Sequence, residues 1–211
     1  MRPHSRSPRS CTLRLLTICL WLCATLGGAS AWAEAKRYEI DPDHLSIGFL
    51  VEHIGYSKVL GMIREASGSY LFDEATGELS DLTVVVDTES VFTNHRKRDE
   101  HLRSADFLNS AEFPQMIFRA SRSIPGEGRR YRIDGELELL GESNPLTLDA
   151  EWNKSAEYPF GGGLLGGKPY VMGVSARGSF ARSSYGMNYS IDNGWVGDRV
   201  ELIVEFEAQR Q

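Results

Sequence analysis

The chain has 211 residues, with 23 Lys and Arg against 29 Asp and Glu, and three cysteines. Acidity of this kind argues against nucleic acid and against an anionic membrane surface as the main partner, since both repel a negatively charged protein.

The first segment reads as a leader. Arg2, Arg6, Arg9 and Arg14 precede an apolar run over 15–26, and Ala31-Trp32-Ala33 supplies a small-x-small cleavage site. That is the pattern of a secretory signal peptide occupying residues 1–33. The run is shorter than the ~20 apolar residues of a membrane span, so no stable membrane insertion is expected. A lipoprotein leader competes because Cys23 ends the run, but Leu20-Trp21-Leu22 is too bulky for a lipobox. Cleavage after Ala33 leaves residues 34–211 as a single domain of 178 residues, with 19 basic against 29 acidic side chains. Cys11, Cys19 and Cys23 depart with the leader, and with them any disulfide, thiolate nucleophile or cysteine metal ligand. The expected location is the periplasm.

From there the pattern is β-strand. Strands are predicted over 36–41 and 44–53, the second with Ile47, Phe49 and Val51 on one face. Shorter pieces follow at 56–62 and 67–72, then a hairpin turn at Glu74-Ala75-Thr76-Gly77, where Gly favours positive φ. Leu82, Val84 and Val86 alternate with Thr83, Val85 and Asp87 in a half-buried strand. Residues 87–114 break the pattern. Asn94 is a candidate N-cap for a charged helix over 96–103, Ser104 starts a second cap-like turn before Phe107 and Leu108, and Pro114 returns the chain to extended form. A hairpin over 116–124 and 130–140 comes next, its second strand carrying Tyr131, Ile133, Gly135, Leu137 and Leu139 on one face. Gly141-Glu142-Ser143-Asn144 turns into Leu146, Leu148, Ala150 and Trp152, and 153–169 reads as a loose glycine-rich stretch. The last strands are 170–183 and 199–208. Eight to ten strands, one helical insert and no fixed repeat indicate one all-β domain, an antiparallel barrel of about eight strands in preference to a sandwich.

Catalytic and metal signatures are weak. His44 and His53 are nine residues apart, and His95 and His101 six apart, so neither pair shares a face at regular strand or helix spacing. No metal site is expected. The run from Gly162 to Lys168 approaches a phosphate-cradling loop, but Pro169 stands where Ser or Thr is required. There is no G-x-S-x-G elbow. The prominent content is apolar and inward: Phe49, Phe72, Phe118, Trp152, Phe180 and Phe206, on separate strands. A packed core accounts for such residues, and so does a cavity, because eight strands enclose a space that side chains only just fill.

Several motifs resemble one family. Asp43-His44-Leu45-Ser46-x-x-Phe49-x-Val51-x-His53 with Gly61 resembles the opening of the YceI-like exported polyisoprenoid-binding proteins. Ser90-Val91-x-Thr93, then Arg98-Asp99-Glu100-His101-Leu102-Arg103-Ser104-x-Asp106-Phe107 and Phe113-Pro114-x-x-x-Phe118 resemble its central signature. Gly135-x-Leu137-x-Leu139-x-Gly141 with Pro145-x-Thr147-Leu148, Arg182-Ser183-x-Tyr185-Gly186-Met187 and Val196-Gly197-Asp198-x-Val200 resemble its later segments. Two departures are Leu45, where a small residue is usual, and the glycine-rich run over 161–167.

The resemblance implies a lipocalin-like barrel with a short helical insert and a tunnel for a long isoprenoid chain, of quinone or polyprenyl type, or another amphiphile. It implies a carrier with no cofactor beyond that ligand. Strand-face alternation within the matching motifs selects the candidate wall: Ile47, Phe49, Val51, Phe72, Val84, Val86, Phe107, Phe118, Leu137, Leu139, Leu148, Trp152 and Phe180. Arg98, His101 and Arg103 are the candidate head-group donors. Two other readings stand beside the carrier: an enzyme acting on such a lipid through His101 and Asp99, and a ligand-free structural or partner-binding barrel. A stripe of exposed strand is compatible with a homodimer.

Overall fold

The computed structural model describes residues 34–161 and 166–211. The leader read in residues 1–33 and the middle of the glycine-rich run lie outside them. Among these residues twelve strand segments, with one α-helix inserted between two of them, combine into eight staves. β1 (Lys36–Ile40) and β2 (Ser46–His53) form the first, kinked at a short 3-10 turn that the Asp41 side chain caps. β3 (Ser57–Ile63) with β4 (Ala66–Asp73) is the second, and β5 (Glu78–Asp87) with β6 (Val91–Phe92) the third. Helix α1 (Arg96–Arg103) leads into β7 (Gln115–Ala120) and β8 (Ser123–Pro125), the fourth stave. β9 (Arg130–Leu139), β10 (Glu142–Glu157), β11 (Tyr170–Ala181) and β12 (Val196–Arg210) are single long strands.

Each stave pairs antiparallel with the next, and β12 closes on β1 and β2. The result is an up-and-down barrel of eight strands, the class the alternation predicts. Closure leaves few strand edges to seek partners. Because side chains alternate across a strand, each stave has an inner and an outer face. On β9, Ile133, Leu137 and Leu139 are buried, while Arg132, Asp134 and Glu138 face water. Outside, Arg119 Nη1 meets Glu138 Oε2 at 3.0 Å across the β7–β9 pair, whereas each apolar side chain buried inside contributes about 1.5–3 kcal/mol.

Two interior glycines permit the curvature. Gly61 lies opposite Phe49, and a Cβ there would fall 2.1 Å from the ring. At Gly135 a Cβ would sit 2.4 Å from the Arg119 carbonyl. Both are covered by a neighbouring aromatic ring, as coiled sheets require.

Three expectations are corrected. Asn94 is not the N-cap of α1: it takes a left-handed φ of 59°, and His95 caps the helix, Nδ1 accepting from the Arg98 N–H. The turn before β10 is tighter than Gly141–Asn144. It consists of Leu140 and Gly141, both at positive φ, so that β10 already begins at Glu142. β10 also continues to Glu157, through part of the stretch read as loose, absorbing one residue in a bulge at Asn153.

Candidate functional site: a one-ended apolar cavity

The barrel encloses a cavity of about 500 Å³, within the ~300–1,000 Å³ usual for small-molecule sites. All thirteen side chains chosen by alternation stand on its wall. Ile47, Phe49 and Val51 come from β2, Phe72 from β4, Val84 and Val86 from β5, and Phe118 from β7. Leu137 and Leu139 come from β9, Leu148 and Trp152 from β10, Phe180 from β11, and Phe107 from the segment after α1. β12 adds Val200, Leu202, Val204 and Phe206. Its clean alternation was the signal for them.

One end of the barrel is stopped. Tyr38 and Tyr70 stack at 5.3 Å, and the Tyr70 hydroxyl lies 3.4 Å from the Met172 sulfur. Tyr38 is wholly buried and donates from its hydroxyl to Glu74, which also accepts from Ser155 (2.7 Å) and Tyr170 (3.0 Å). Arg210 lies 3.8 Å over the Tyr170 ring. Burial pulls the Glu74 carboxyl up, but the three hydroxyls and the Arg210 charge outweigh it and hold the group below its ordinary range. Burial also pushes the Tyr38 and Tyr70 hydroxyls up, so the stopper ionises at neither phenol. Beside it, Trp152 meets Phe72 edge-on at 5.5 Å with Arg129 over its ring at 5.0 Å.

The other end carries α1, the β2–β3 turn and the segment between β11 and β12. His53, Ile54, Arg98, His101, Tyr189 and Trp195 reach the cavity there. The Ile54 N–H donates to the Trp195 carbonyl at 3.0 Å, joining two parts of the rim. His101 stands edge-on to Phe107 (5.0 Å) and Tyr189 (4.9 Å), with Nε2 2.8 Å from Asp106 Oδ2.

The candidate head-group donors therefore divide. Arg98 and His101 line the cavity, though Arg98 spends Nε and Nη2 on the Thr93 hydroxyl and carbonyl, both at 2.7 Å. Arg103 is not brought to the wall: it donates to the Glu89 and Val91 carbonyls and pairs with Glu89. Asp99 is buried and accepts from both the N–H and the hydroxyl of Thr93, while the carboxylate beside His101 is that of Asp106. The two groups proposed for acid–base work are thus each bound elsewhere.

Arg182 is a wall residue that the alternation did not select. Its side chain is 1% exposed, and its guanidinium donates only to carbonyls: Gly197, Met187, Tyr189 and Val196, at 2.6–2.9 Å. Burial lowers its pKa, with Asp198 opposing. The carbonyls spread the charge without neutralising it, so one cation is fixed in the wall behind Phe107, 5.7 Å from that ring. A strand-final arginine in a loop motif gave no sign of burial. Among the described residues no cluster of His, Cys, Asp and Glu is placed to hold a metal.

The chain is similar to known proteins over most of its length. Protein YceI of Salmonella arizonae and that of Salmonella enteritidis are each 36% identical over 181 residues, covering 85% of this chain and 90% of the relative. The Campylobacter jejuni YCEI protein superposes with a TM-score of 0.66 at 26% identity, covering 76% of this chain and 90% of the other. Burkholderia cenocepacia BcnA gives a TM-score of 0.69 at 15% identity, over 80% and 98% of the chains. A polyisoprenoid binding domain from Saccharophagus degradans gives 0.60 at 13%, over 82% and 98%. These last two share the fold. The model of the YceI-like domain matches residues 38–208, which reach into all eight staves, and the chain belongs to the YceI-like family.

Proposed function

We propose that this protein is a periplasmic carrier that holds the tail of a long isoprenoid lipid, of quinone or polyprenyl type, inside the barrel and carries out no reaction on it. The observation that bears the proposal is the cavity itself: about 500 Å³, walled almost wholly by aliphatic and aromatic side chains and stopped at one end. Each methylene moved from water into it contributes about 0.8 kcal/mol, so a few isoprene units outweigh the cost of ordering the chain. The polar groups at the open end, His101 and Arg98 with Arg182 behind them, suit a head that accepts hydrogen bonds. The Saccharophagus domain of the same fold, named for polyisoprenoid binding, supports this ligand class. The leader pattern of residues 1–33 supports export.

Native mass spectrometry of gently purified protein tests the proposal, followed by organic extraction. A one-to-one adduct that extracts as an isoprenoid is the expected result, and Ala176→Phe, which places a ring in the cavity, is expected to lose it. Protein that is empty as isolated and takes up neither a polyprenyl alcohol nor a quinone on incubation would overturn the reading.

A further inference from the structure

The outer surface is not uniformly polar, and its apolar part is not scattered. Of nine large hydrophobic side chains exposed among the described residues, four lie on the rim of the open end and three, Leu60, Met62 and Phe92, on the outer face of β3 and β6 that leads down from it. Four are on the rim: Ile54 (46% exposed), Tyr56 (90%), Tyr189 (41%) and Trp195 (57%). Ile54, Tyr189 and Trp195 also line the cavity, so part of the apolar wall continues onto the outside between the polar groups of the mouth. Leu60, 59% exposed, extends the patch down the outer face of β3. Only Ile124 and Phe160 lie elsewhere.

Charge is distributed to match. The three segments that carry this patch, 52–65, 89–106 and 189–199, hold seven Lys and Arg against eight Asp and Glu. They are close to neutral. Nearly all of the excess of 29 acids over 19 bases in residues 34–211 is therefore carried by other parts of the barrel. Tryptophan and tyrosine with neighbouring aliphatic residues favour the boundary between lipid head groups and acyl chains, and a near-neutral face is not repelled there.

We infer that the open end docks on the surface of a phospholipid bilayer, with Ile54, Tyr56 and Trp195 entering the head-group layer and the cavity facing the acyl chains. This goes beyond the cavity's contents and rests on the proposed function only for the direction in which cargo passes. It also refines the expectation drawn from overall acidity, because the negative charge sits away from the docking end. Contact is peripheral, through side chains on a turn and a loop. No described helix is long and apolar enough to cross a membrane.

The test is flotation of the purified protein with vesicles of phosphatidylethanolamine and phosphatidylglycerol, alongside quenching by acyl-brominated phosphatidylcholine. Residues 34–211 contain two tryptophans, Trp152 inside the cavity and Trp195 on the rim. In a Trp152→Phe variant the remaining fluorescence is expected to be quenched on vesicle binding. The double variant Tyr56→Ser, Leu60→Ser, at two exposed positions that do not line the cavity, is expected to bind vesicles at least roughly tenfold more weakly, with unchanged thermal unfolding and unchanged content of a polyprenyl alcohol loaded from detergent. Ligand content lost while docking is kept would count against the cavity reading alone. Failure to float, unquenched Trp195, or equal binding by the double variant would overturn the inference. So would a dimer of the parent protein that the same two substitutions dissociate without any vesicle binding, since the patch would then belong to a second copy of this chain.

Discussion

Gly61 and Phe49 show how much of the site depends on one missing side chain. The Phe49 ring lies flat where a Cβ at Gly61 would stand, and its edge forms part of the cavity wall. In Gly61→Ala the backbone of β3 is held by its pairing with β2, so the ring must turn inward. Urea unfolding is expected to show a loss of about 1–3 kcal/mol, as for other overpacked cores, together with reduced ligand capacity. Glu74 gives a prediction of a different kind. Its carboxyl is held below the ordinary range when folded, so it contributes fully at neutral pH. That contribution begins to be lost as pH falls to about 4.3, where the unfolded side chain binds protons, and is gone once pH passes below the folded value. Unfolding followed against pH is expected to show an acid limb that Glu74→Gln flattens. Arg182 belongs at this scale too. Its partners are carbonyls drawn from residues 187–197, so nothing local in its motif reveals that it is buried.

At the scale of elements, the staves were legible and the joins between them were not. A strand that faces a cavity on one side and water on the other must alternate, and β2, β5, β9 and β12 all do so. Twelve of the thirteen wall residues lie on such strands and could be chosen by that alternation within the matching motifs, while Phe107, after α1, rested on its motif. Beyond Trp152 the outward and inward positions of β10 (Asn153, Lys154, Ser155, Ala156) offer no such contrast, and its continuation is dictated instead by pairing with β11 through Glu157 and Tyr170. The start of α1 is decided by tertiary structure in the same way. Asp99 captures the backbone and hydroxyl of Thr93, Arg98 holds its carbonyl, and the chain between must turn through a left-handed Asn94 before His95 can cap. Asn94→Gly is therefore expected to be close to neutral, since glycine accepts that φ freely. Asn94→Val is expected to cost about 1–2 kcal/mol in chemical denaturation.

For the whole molecule, closure of β12 on β1 joins the two ends of the described domain, so the barrel is completed by contacts between its most distant residues. Folding of such a topology is slow, on the order of milliseconds to seconds. A ligand that occupies only the closed barrel stabilises it by mass action, by about 2.7 kcal/mol at a hundredfold excess over Kd. Calorimetry is expected to show a lower Tm after solvent extraction and its recovery on adding back a polyprenyl alcohol. An unchanged Tm would mean that nothing in the cavity had been stabilising the fold.

The stopper of Tyr38, Tyr70 and Met172 has a consequence for traffic. A vessel with a single doorway cannot serve as a conduit: nothing threads through it, and whatever enters tail first must back out head first. On the proposed carrier reading, each molecule delivers one guest per visit and turns the same face to donor and to recipient in succession. Handover is then a shuttle between two shores, its pace set by how readily that doorway lets go.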